Sequence, residues 1–550
     1  MRAISKIILL LLFFLQASQP VFSKSGVAIE DEIQLILIHL DAVSTDYFLQ
    51  DLHAGNLPNI EAFFGEQGRI DNTVTYFPSK TPTIISSIRL GKSVREVDIP
   101  GWEWLIDATD EMVVRTSGTF LRMVFSTSRV SRTTIVYGVP AFHWVAGPAL
   151  INVADYLQDY PVTEFYWYNV DTQGHFLGRE AYLEQMRYFD RQFGKLARRL
   201  PPDINVIIYS DHGMAFGEGV EIDDEVKELL GDKVKIYSFP TLYIHDASLI
   251  EQVARTLVDS TQIDYTFFET GPLEVQGIHR NGDVSITLDP EGGGIRYSYE
   301  TEDIFGYSEL GYQNEFLTEE EWLALTYLSD YPMAPVLIFE HLKNKVSGDI
   351  LTLFSSGKYH KTAYGSRGNH GGFTREEMTV PLLIRGDQVS HLAERSYYHL
   401  PNLFQDIDRI GFNRTPPRER HTISYRSDFR KNQQVGGITL SPSYRIRYGA
   451  SFYNFSLSEP GRTGSADFFG MGDLFRSYLN RLWFGGGMSF DERESRPFLL
   501  IRHDLHIRRI VLQNYYTTHR TFEFRLNYEF TPHLTLQTVN FTSLGFRIDF

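Results

Sequence analysis

Short runs of branched apolar residues, each closed by a carboxylate, mark the first part of the chain. Ile33 to Leu40 ends at Asp41, Phe165 to Val170 precedes Asp171, and Ile204 to Tyr209 runs into Ser210-Asp211-His212-Gly213. Short, mostly apolar runs of this length read as central strands of a parallel sheet. In open α/β sheets, ligand sites gather at the carboxyl ends of such strands. One Asp at a strand end is an ordinary turn or cap residue. Three of them, two with a His close by, are poorly explained that way.

Helical patterns fill the intervals. Leu57-Pro58-Asn59 opens one helix, and Ile84 to Leu90 reads as the first turns of a buried one. Over Glu180 to Leu200, Leu183, Met186, Tyr188, Phe189, Phe193 and Leu196 form a core-facing stripe without chemistry. From about Ala215 to Thr362 the pattern is less regular. Tyr237 to His245 and Asp283 to Leu288 read as strands, and Thr318 caps a helix to Leu328 with Glu321 completing a capping box. This stretch reads as an insertion or lid. A glycine-rich loop, Asn369-His370-Gly371-Gly372, then leads to a further strand over Met378 to Ile384.

From His421 the texture changes to alternation. Phe522, Phe524, Leu526, Tyr528 and Phe530 are separated by Glu523, Arg525, Asn527 and Glu529. Leu544, Phe546, Ile548 and Phe550 alternate with Gly545, Arg547 and Asp549. These are amphipathic antiparallel strands. Aromatic residues (Tyr448, Trp483, Phe484, Tyr515, Tyr528) recur near segment ends, and the region resembles bacterial outer-membrane barrels, whose last strand commonly ends in Phe. About 130 residues would suit eight strands of about ten residues. A soluble β-sandwich shows the same alternation.

Charge divides the chain at the same place. The net charge of the 550 residues is −17, yet residues 421–550 hold 16 Arg plus Lys against 11 Asp plus Glu, which is +5 and leaves −22 for the rest. An acidic chain lacks the basic surface that nucleic acid requires. The N-terminus reads as a secretory signal over residues 1–23. Arg2 and Lys6 precede nine apolar residues, Ile7 to Leu15, followed by Ala17, Ser18 and Ser23. With no Cys in the chain there is no lipid-modified cysteine and no disulfide. The expected organisation is a signal over 1–23, a catalytic domain over 24–415 with the insertion at about 215–362, and a β domain over 421–550.

The candidate chemistry centres on Tyr76-Phe77-Pro78-Ser79-Lys80-Thr81-Pro82. Thr81 would stand at a helix N-terminus, where unpaired N–H groups and the macrodipole favour an anion; a plain N-cap is the simpler alternative. Asp171 and His175, four apart in what reads as a loop containing Gly174, are close enough to share one metal ion. Two carboxylates with one His, and one carboxylate with two His, form mixed oxygen and nitrogen ligand sets that suit Zn²⁺, with Mn²⁺ possible.

Taken together, Asp41, Phe77-Pro78-Ser79-Lys80-Thr81, Asp171-x-x-x-His175, Asp211-His212-Gly213 and His370-Gly371-Gly372 resemble the alkaline phosphatase superfamily, nearest its type I phosphodiesterase/nucleotide pyrophosphatase branch. The resemblance spans roughly Ile33 to Gly386. It implies an α/β fold whose sheet carries helices on both faces, and two metal sites. Asp41, Asp211 and His212 with the Thr81 oxygen would form one; Asp171, His175 and His370 would form the other. Thr81 would be the nucleophile, and Lys80 and the amides after Thr81 candidate phosphoryl contacts. Two metals about 4 Å apart would clamp the attacking and leaving oxygens. The branch usually places an Asn on the phosphoryl oxygen; the corresponding stretch, Val97 to Trp104, has none. Trp102 and Trp104 there read as packing residues or as a wall for the leaving group.

The expected function is an exported, two-metal phosphohydrolase of the periplasm or outer membrane. It would act on a phosphate monoester or diester through a phospho-threonine, with its β domain in outer-membrane lipid. A transferase acting on envelope lipid or sugar, and a non-catalytic barrel protein with a ligand-binding domain, are the alternatives.

Overall fold

The computed structural model describes residues 34–411 and 421–549 except 98, 106–112, 115–117, 120–135, 138–143, 158–161, 431–432, 444–445, 455–463, 477, 492–493, 508 and 532. The signal-like N-terminus and the terminal Phe550 lie outside the described residues. The chain divides into two compact units. One takes in Gln34–Leu157 and Val162–Arg414, and the other contains Thr415–Phe550.

The first unit is built on a mixed sheet. Its strands are β1 (Leu35–Leu40), β2 (Arg69–Val74), β3 (Val136–Tyr137), β4 (Val162–Trp167), β5 (Asn205–Ser210), β6 (Thr379–Arg385) and β7 (Tyr398–His399). Their spatial order is β7-β2-β6-β5-β1-β4-β3. β1 pairs in parallel with β4 and β5, so three carboxyl ends lie side by side. β6 alone runs against its neighbours. Every residue of β1, β4 and β5 is buried, which is why their sequences do not alternate with exposed polar residues; Glu164, the one acid within them, pairs with Arg89. β4 ends at Trp167, three residues short of the sequence expectation, because a helix starts at Asn169. Three helices position the site: α1 (Thr81–Leu90), α2 (Asn169–Leu177) and α3 (Arg179–Ala197). On α3 the expected stripe is buried at Leu183, Met186, Phe189, Phe193 and Leu196, while Tyr188 is only half-buried at its edge.

The irregular stretch holds a second sheet of seven strands, all paired antiparallel, between Val234 and Leu353. It packs on its own core, which includes Val226, Leu242, Val253, Leu257, Ile263 and Ile350. Tyr237 to His245 is not one strand. Val234–Ser238 and Thr241–Ile244 pair with each other across a reversal at Phe239-Pro240, where Pro240 has no N–H to continue a ladder. Thr318 caps its helix as expected, with Glu321 returning the bond.

The second unit is a closed antiparallel barrel of ten strands, not eight and not a sandwich. Its first strand, Thr422–Asp428, pairs with its last, Ser543–Asp549, and so closes the sheet. Three of the strands have only six or seven residues, so the same length of chain yields more of them. Its alternation is inverted relative to a soluble domain. On the last strand Leu544, Phe546 and Ile548 are exposed while Ser543, Gly545 and Asp549 are buried. Phe522, Tyr528 and Phe530 are likewise exposed outside, and Asn527 is fully buried inside. Among the described residues no helix is long and apolar enough to cross a membrane, which says nothing about strands.

Candidate metal centre

The candidate side chains come from two strand ends, two helices and one loop. Asp41 directly follows β1, and its amide donates to the Trp167 carbonyl at 3.0 Å, fixing it beside β4. Asp211 directly follows β5 and His212 comes next. Asp171 and His175 sit on α2, not in a loop, so their four-residue spacing puts them one turn apart on one face. Gly174 is in that helix for close packing rather than for a turn: a Cβ there would come within 2.3 Å of Met214 Sδ. Thr81 is the first residue of α1, with Lys80 as N-cap. His370 arrives on the glycine-rich loop before β6.

These residues gather into two adjoining groups. Asp41, Asp211 and His212 form one and Asp171, His175 and His370 the other, with one potential ligand atom per residue, all within 4.8 Å of one another in each group. In the second group Asp171 Oδ1 lies 3.0 Å from His175 Nε2 and 3.3 Å from His370 Nε2, and the two nitrogens are 3.1 Å apart. Tetrahedral zinc with bonds near 2.05 Å separates its ligand atoms by about 3.3 Å. In the first group His212 Nε2 is 3.0 Å from Thr81 Oγ1, 3.4 Å from Asp211 Oδ2 and 3.5 Å from Asp41 Oδ1. The His212 and His370 rings stack with centroids 3.8 Å apart and join the two groups. All seven side chains are buried.

The hydrogen bonds settle which imidazole nitrogens are free. His175 Nδ1 donates to the Gly368 carbonyl at 2.9 Å, His212 Nδ1 to the Gly213 carbonyl at 2.9 Å, and His370 Nδ1 to the Ser79 carbonyl at 2.5 Å. A carbonyl only accepts, so in each neutral ring the proton is on Nδ1 and Nε2 offers a lone pair. Three lone pairs therefore point inward beside three carboxylates. Asp41 Oδ1 and Asp211 Oδ2 are buried without a hydrogen-bond partner among the described residues. Bound divalent cations would satisfy all of these atoms at once, and outer partners on each His are the usual accompaniment of a metal ligand.

The electrostatics agree. Burial, then the carboxylates of Asp211 and Asp171, push the Asp41 carboxyl well above its ordinary range. Burial alone would raise Asp211 too, but the imidazoles of His212 and His39 draw it down to about 2. Asp171 is lowered by His175 and His370 against its burial. Burial, His212 and His175 push His370 down to about 4. Packed carboxylates repel one another, and a dication relieves that repulsion.

Two expected phosphoryl contacts are engaged elsewhere. Lys80 is buried, and its ammonium donates to the Phe239 carbonyl; burial lowers it to about 8 against the pull of Asp223 and Glu103. Of the amides after Thr81, Pro82 has none, and those of Thr83 and Ile84 both donate to the Lys80 carbonyl at 3.1 Å. The stretch lacking Asn is fastened by Asn344, whose Nδ2 donates to the Val94 and Val97 carbonyls at 2.6 and 2.7 Å. Trp104 packs with Ile99, Leu105, Val114 and Tyr243 rather than facing a ligand.

Sequence reasoning missed the surrounding shell. Tyr166 donates its hydroxyl to Asp41 Oδ2. His39 Nε2 lies 3.1 Å from Asp211 Oδ1. Ser79 Oγ donates to the Gly372 carbonyl and accepts from the Gly371 amide at 2.8 and 2.7 Å, pinning the His370 loop. A lone His within the apolar run of β1 was a visible signal. Ser79 stood inside the marked stretch without a role assigned to it, and Tyr166 carried no signal.

A model of the type I phosphodiesterase / nucleotide pyrophosphatase family matches residues 141–258, which include Asp171, His175, Asp211 and His212. No curated protein matches the chain. Among solved structures, murine ectonucleotide pyrophosphatase / phosphodiesterase 5 is similar at 12% identity and a TM-score of 0.43, covering 70% of this chain and 96% of the other. An inactive variant of it in complex with AMP gives the same values. The human protein of that name gives 14% identity, with the same coverage and TM-score.

Proposed function

We propose that this phosphodiesterase-like chain is an exported phosphohydrolase that opens phosphate esters through a covalent phospho-threonine on Thr81. The observation that carries the reading is the position of Thr81 Oγ1, 3.0 Å from His212 Nε2 and beside the carboxylates of Asp41 and Asp211. Asp41, Asp211, His212 and Thr81 would hold one ion, and Asp171, His175 and His370 the other. The lone-pair geometry and mixed donor set fit Zn²⁺, with Mn²⁺ as the second choice. Such ions supply Lewis acidity: they acidify a bound hydroxyl or water and stabilise charge on the entering and leaving oxygens.

The chain's own residues do the positioning. α1 presents Thr81 Oγ1 at its first turn, where the helix dipole favours the incoming phosphoryl anion. His212, fixed through Nδ1, lies next to that oxygen. Tyr166 and His39 steady Asp41 and Asp211 from behind. Thr81 Oγ1 loses its hydroxyl proton and bonds to phosphorus as the bond to the leaving oxygen breaks, and that oxygen takes up a proton and departs as the alcohol. Water then breaks the Thr81–phosphorus bond, which restores the hydroxyl and releases phosphate from a monoester or a phosphate monoester from a diester.

The remaining assignments follow the same reading. Residues 1–23 would direct export, 24–415 would form the catalytic domain with the second sheet as its insertion, and 421–550 would anchor the protein in an outer membrane. The barrel's apolar outside and polar inside support that anchor, since lipid-facing strands reverse the soluble pattern. The test is the rate of hydrolysis of aryl phosphate monoesters and diesters with and without a chelator. The expected result is turnover that the chelator abolishes and added Zn²⁺ restores. Full turnover in chelator would contradict the two-metal reading.

A further inference from the structure

An ester bound at Thr81 would develop charge on its phosphoryl oxygens, and such charge calls for a fixed donor beside the ligand groups. The expected donors are committed elsewhere: the amides of Thr83 and Ile84 to the Lys80 carbonyl, and the Lys80 ammonium to Phe239. What stands beside the centre is a pair of phenols. Tyr168 is the residue at the start of α2, three positions before Asp171. Tyr364 lies in the loop that leads to His370. Their hydroxyl oxygens are 2.5 Å apart. The Tyr364 ring lies against the His175 imidazole, centroids 4.6 Å apart, and meets Phe176 edge-on at 4.8 Å. Tyr364 and Phe176 are 42% and 39% exposed, so this side of the centre opens to solvent. Both hydroxyls lie within electrostatic reach of Asp171 and Asp41, one carboxylate from each metal group.

The proton count then matters. Two hydroxyls carry two hydrogens, and the bond between them uses one. Whichever oxygen donates, one O–H of the pair remains to be given to a third group. Tyr364 also has the Thr172 hydroxyl as a partner, and bonds from Tyr168 and Thr172 to its oxygen leave its own O–H to point outward; on this open side water takes that hydrogen until an anionic substrate oxygen displaces it.

We propose that Tyr364, braced by Tyr168, donates its hydroxyl hydrogen to the phosphoryl oxygen of the bound ester and so stands where the resembled branch uses an amide side chain. This rests on the phosphohydrolase reading of the centre. The ligand chemistry is an anionic phosphoryl group, and the ring edges of Tyr364 and Phe176 form the apolar rim past which the ester enters.

The test uses the full chain loaded with Zn²⁺. For Tyr364→Phe, kcat and KM are measured on an aryl phosphodiester, orthovanadate inhibition is measured alongside, and bound metal is counted by elemental analysis. Phe keeps the packing against His175 and removes only the hydroxyl. The expected result is a fall in kcat of about ten- to a hundredfold, at the lower end of what a lost oxyanion donor costs. KM should change by less than about twofold, the vanadate inhibition constant should rise in step with the fall in kcat, and metal content should not change. Tyr168→Phe should lower kcat by a smaller factor. Unchanged kcat and vanadate inhibition in Tyr364→Phe, with Thr81→Ala inactive, would overturn the proposal and leave the phosphohydrolase reading standing. Loss of metal in Tyr364→Phe would also overturn it, by making the role structural. A metal-loaded wild type inert toward every ester would remove the reading itself, and the proposal with it.

Discussion

Thr81 Oγ1 lies 3.0 Å from Nε2 of His212, although 131 residues separate them in sequence. The contact joins the first turn of α1 to the carboxyl end of β5, and the backbone fixes both partners. Thr81 is set by the helix start, and His212 is held by its Nδ1 bond to the Gly213 carbonyl. A threonine serving only as a helix cap would bond its own first turn. This one turns its oxygen toward an imidazole lone pair in a nest of carboxylates.

The two groups of ligands should be separable. Asp171→Asn removes a carboxylate from the group containing His175 and His370 and leaves Asp41, Asp211 and His212 untouched. Elemental analysis should fall from two bound ions to one. The same count for Asp41→Asn should lose the other ion, and loss of both ions from either variant would mean that the groups are not independent.

Gly174 should tolerate no side chain. A Cβ would meet Met214 Sδ at 2.3 Å and Tyr182 Cδ2 at 3.2 Å. Gly174→Ala should therefore cost about 1–3 kcal/mol through overpacking, with a lower melting temperature and weaker retention of the ion beside His175. Adding Met214→Ala should recover part of that loss, which a thermodynamic cycle would measure.

His341 should make the first unit acid-sensitive. Burial, then the Lys80 charge, pushes its imidazole from the ordinary 6.5 down to about 3. The unfolded chain therefore takes up a proton between those values while the folded chain does not. Stability from this residue is whole above about pH 6.5 and falls as pH drops toward 3, by at most about 1.4 kcal/mol per pH unit. Glu377, raised to about 7 by burial, has the opposite slope: its protonated folded form favours stability at low pH, and that gain fades as pH rises from about 4.5 through 7. Melting temperatures of wild type and His341→Gln between pH 7.5 and 5 should isolate the His341 part. The wild type should lose more than the variant on acidification, and parallel curves would contradict it.

The barrel should not conduct. Arg426 reaches Glu523 at 3.0 Å and Arg520 reaches Asp467 at 2.8 Å, both between strands that are not neighbours, so ion pairs cross the lumen. Arg525 and Arg520 also lie over the Tyr515 and Tyr453 rings, each at 3.8 Å. In a planar bilayer the protein should show no steady current, and Glu523→Ala with Asp467→Ala should open one. A wild-type pore would contradict a closed lumen.

Much of the first unit was legible because its physics is local. Strands buried on both faces announce themselves, and Asp41 and Asp211 at two carboxyl ends mark the ligand edge. The capping box at Thr318 and the stripe on α3 were legible for the same reason. The α2 placement of Asp171 and His175 was not, because Gly174 looked like a turn and its packing against Met214 is a long-range fact. The reversal at Pro240 and the count of ten barrel strands depend on pairing, which alternation alone does not fix. Tyr364 and Ser79 make contacts across some 200 to 290 positions of chain; Ser79 stands in a marked stretch, but its long-range partners, like those of Tyr364, are not written beside it.

The most direct measurement is the turnover of an aryl phosphate ester by Thr81→Ala beside its metal content. The account expects turnover to fall by at least about a thousandfold, as when a covalent nucleophile is removed, while both ions remain largely bound through Asp41, Asp211, His212, Asp171, His175 and His370. Turnover near the wild-type rate, with both ions in place, would contradict it.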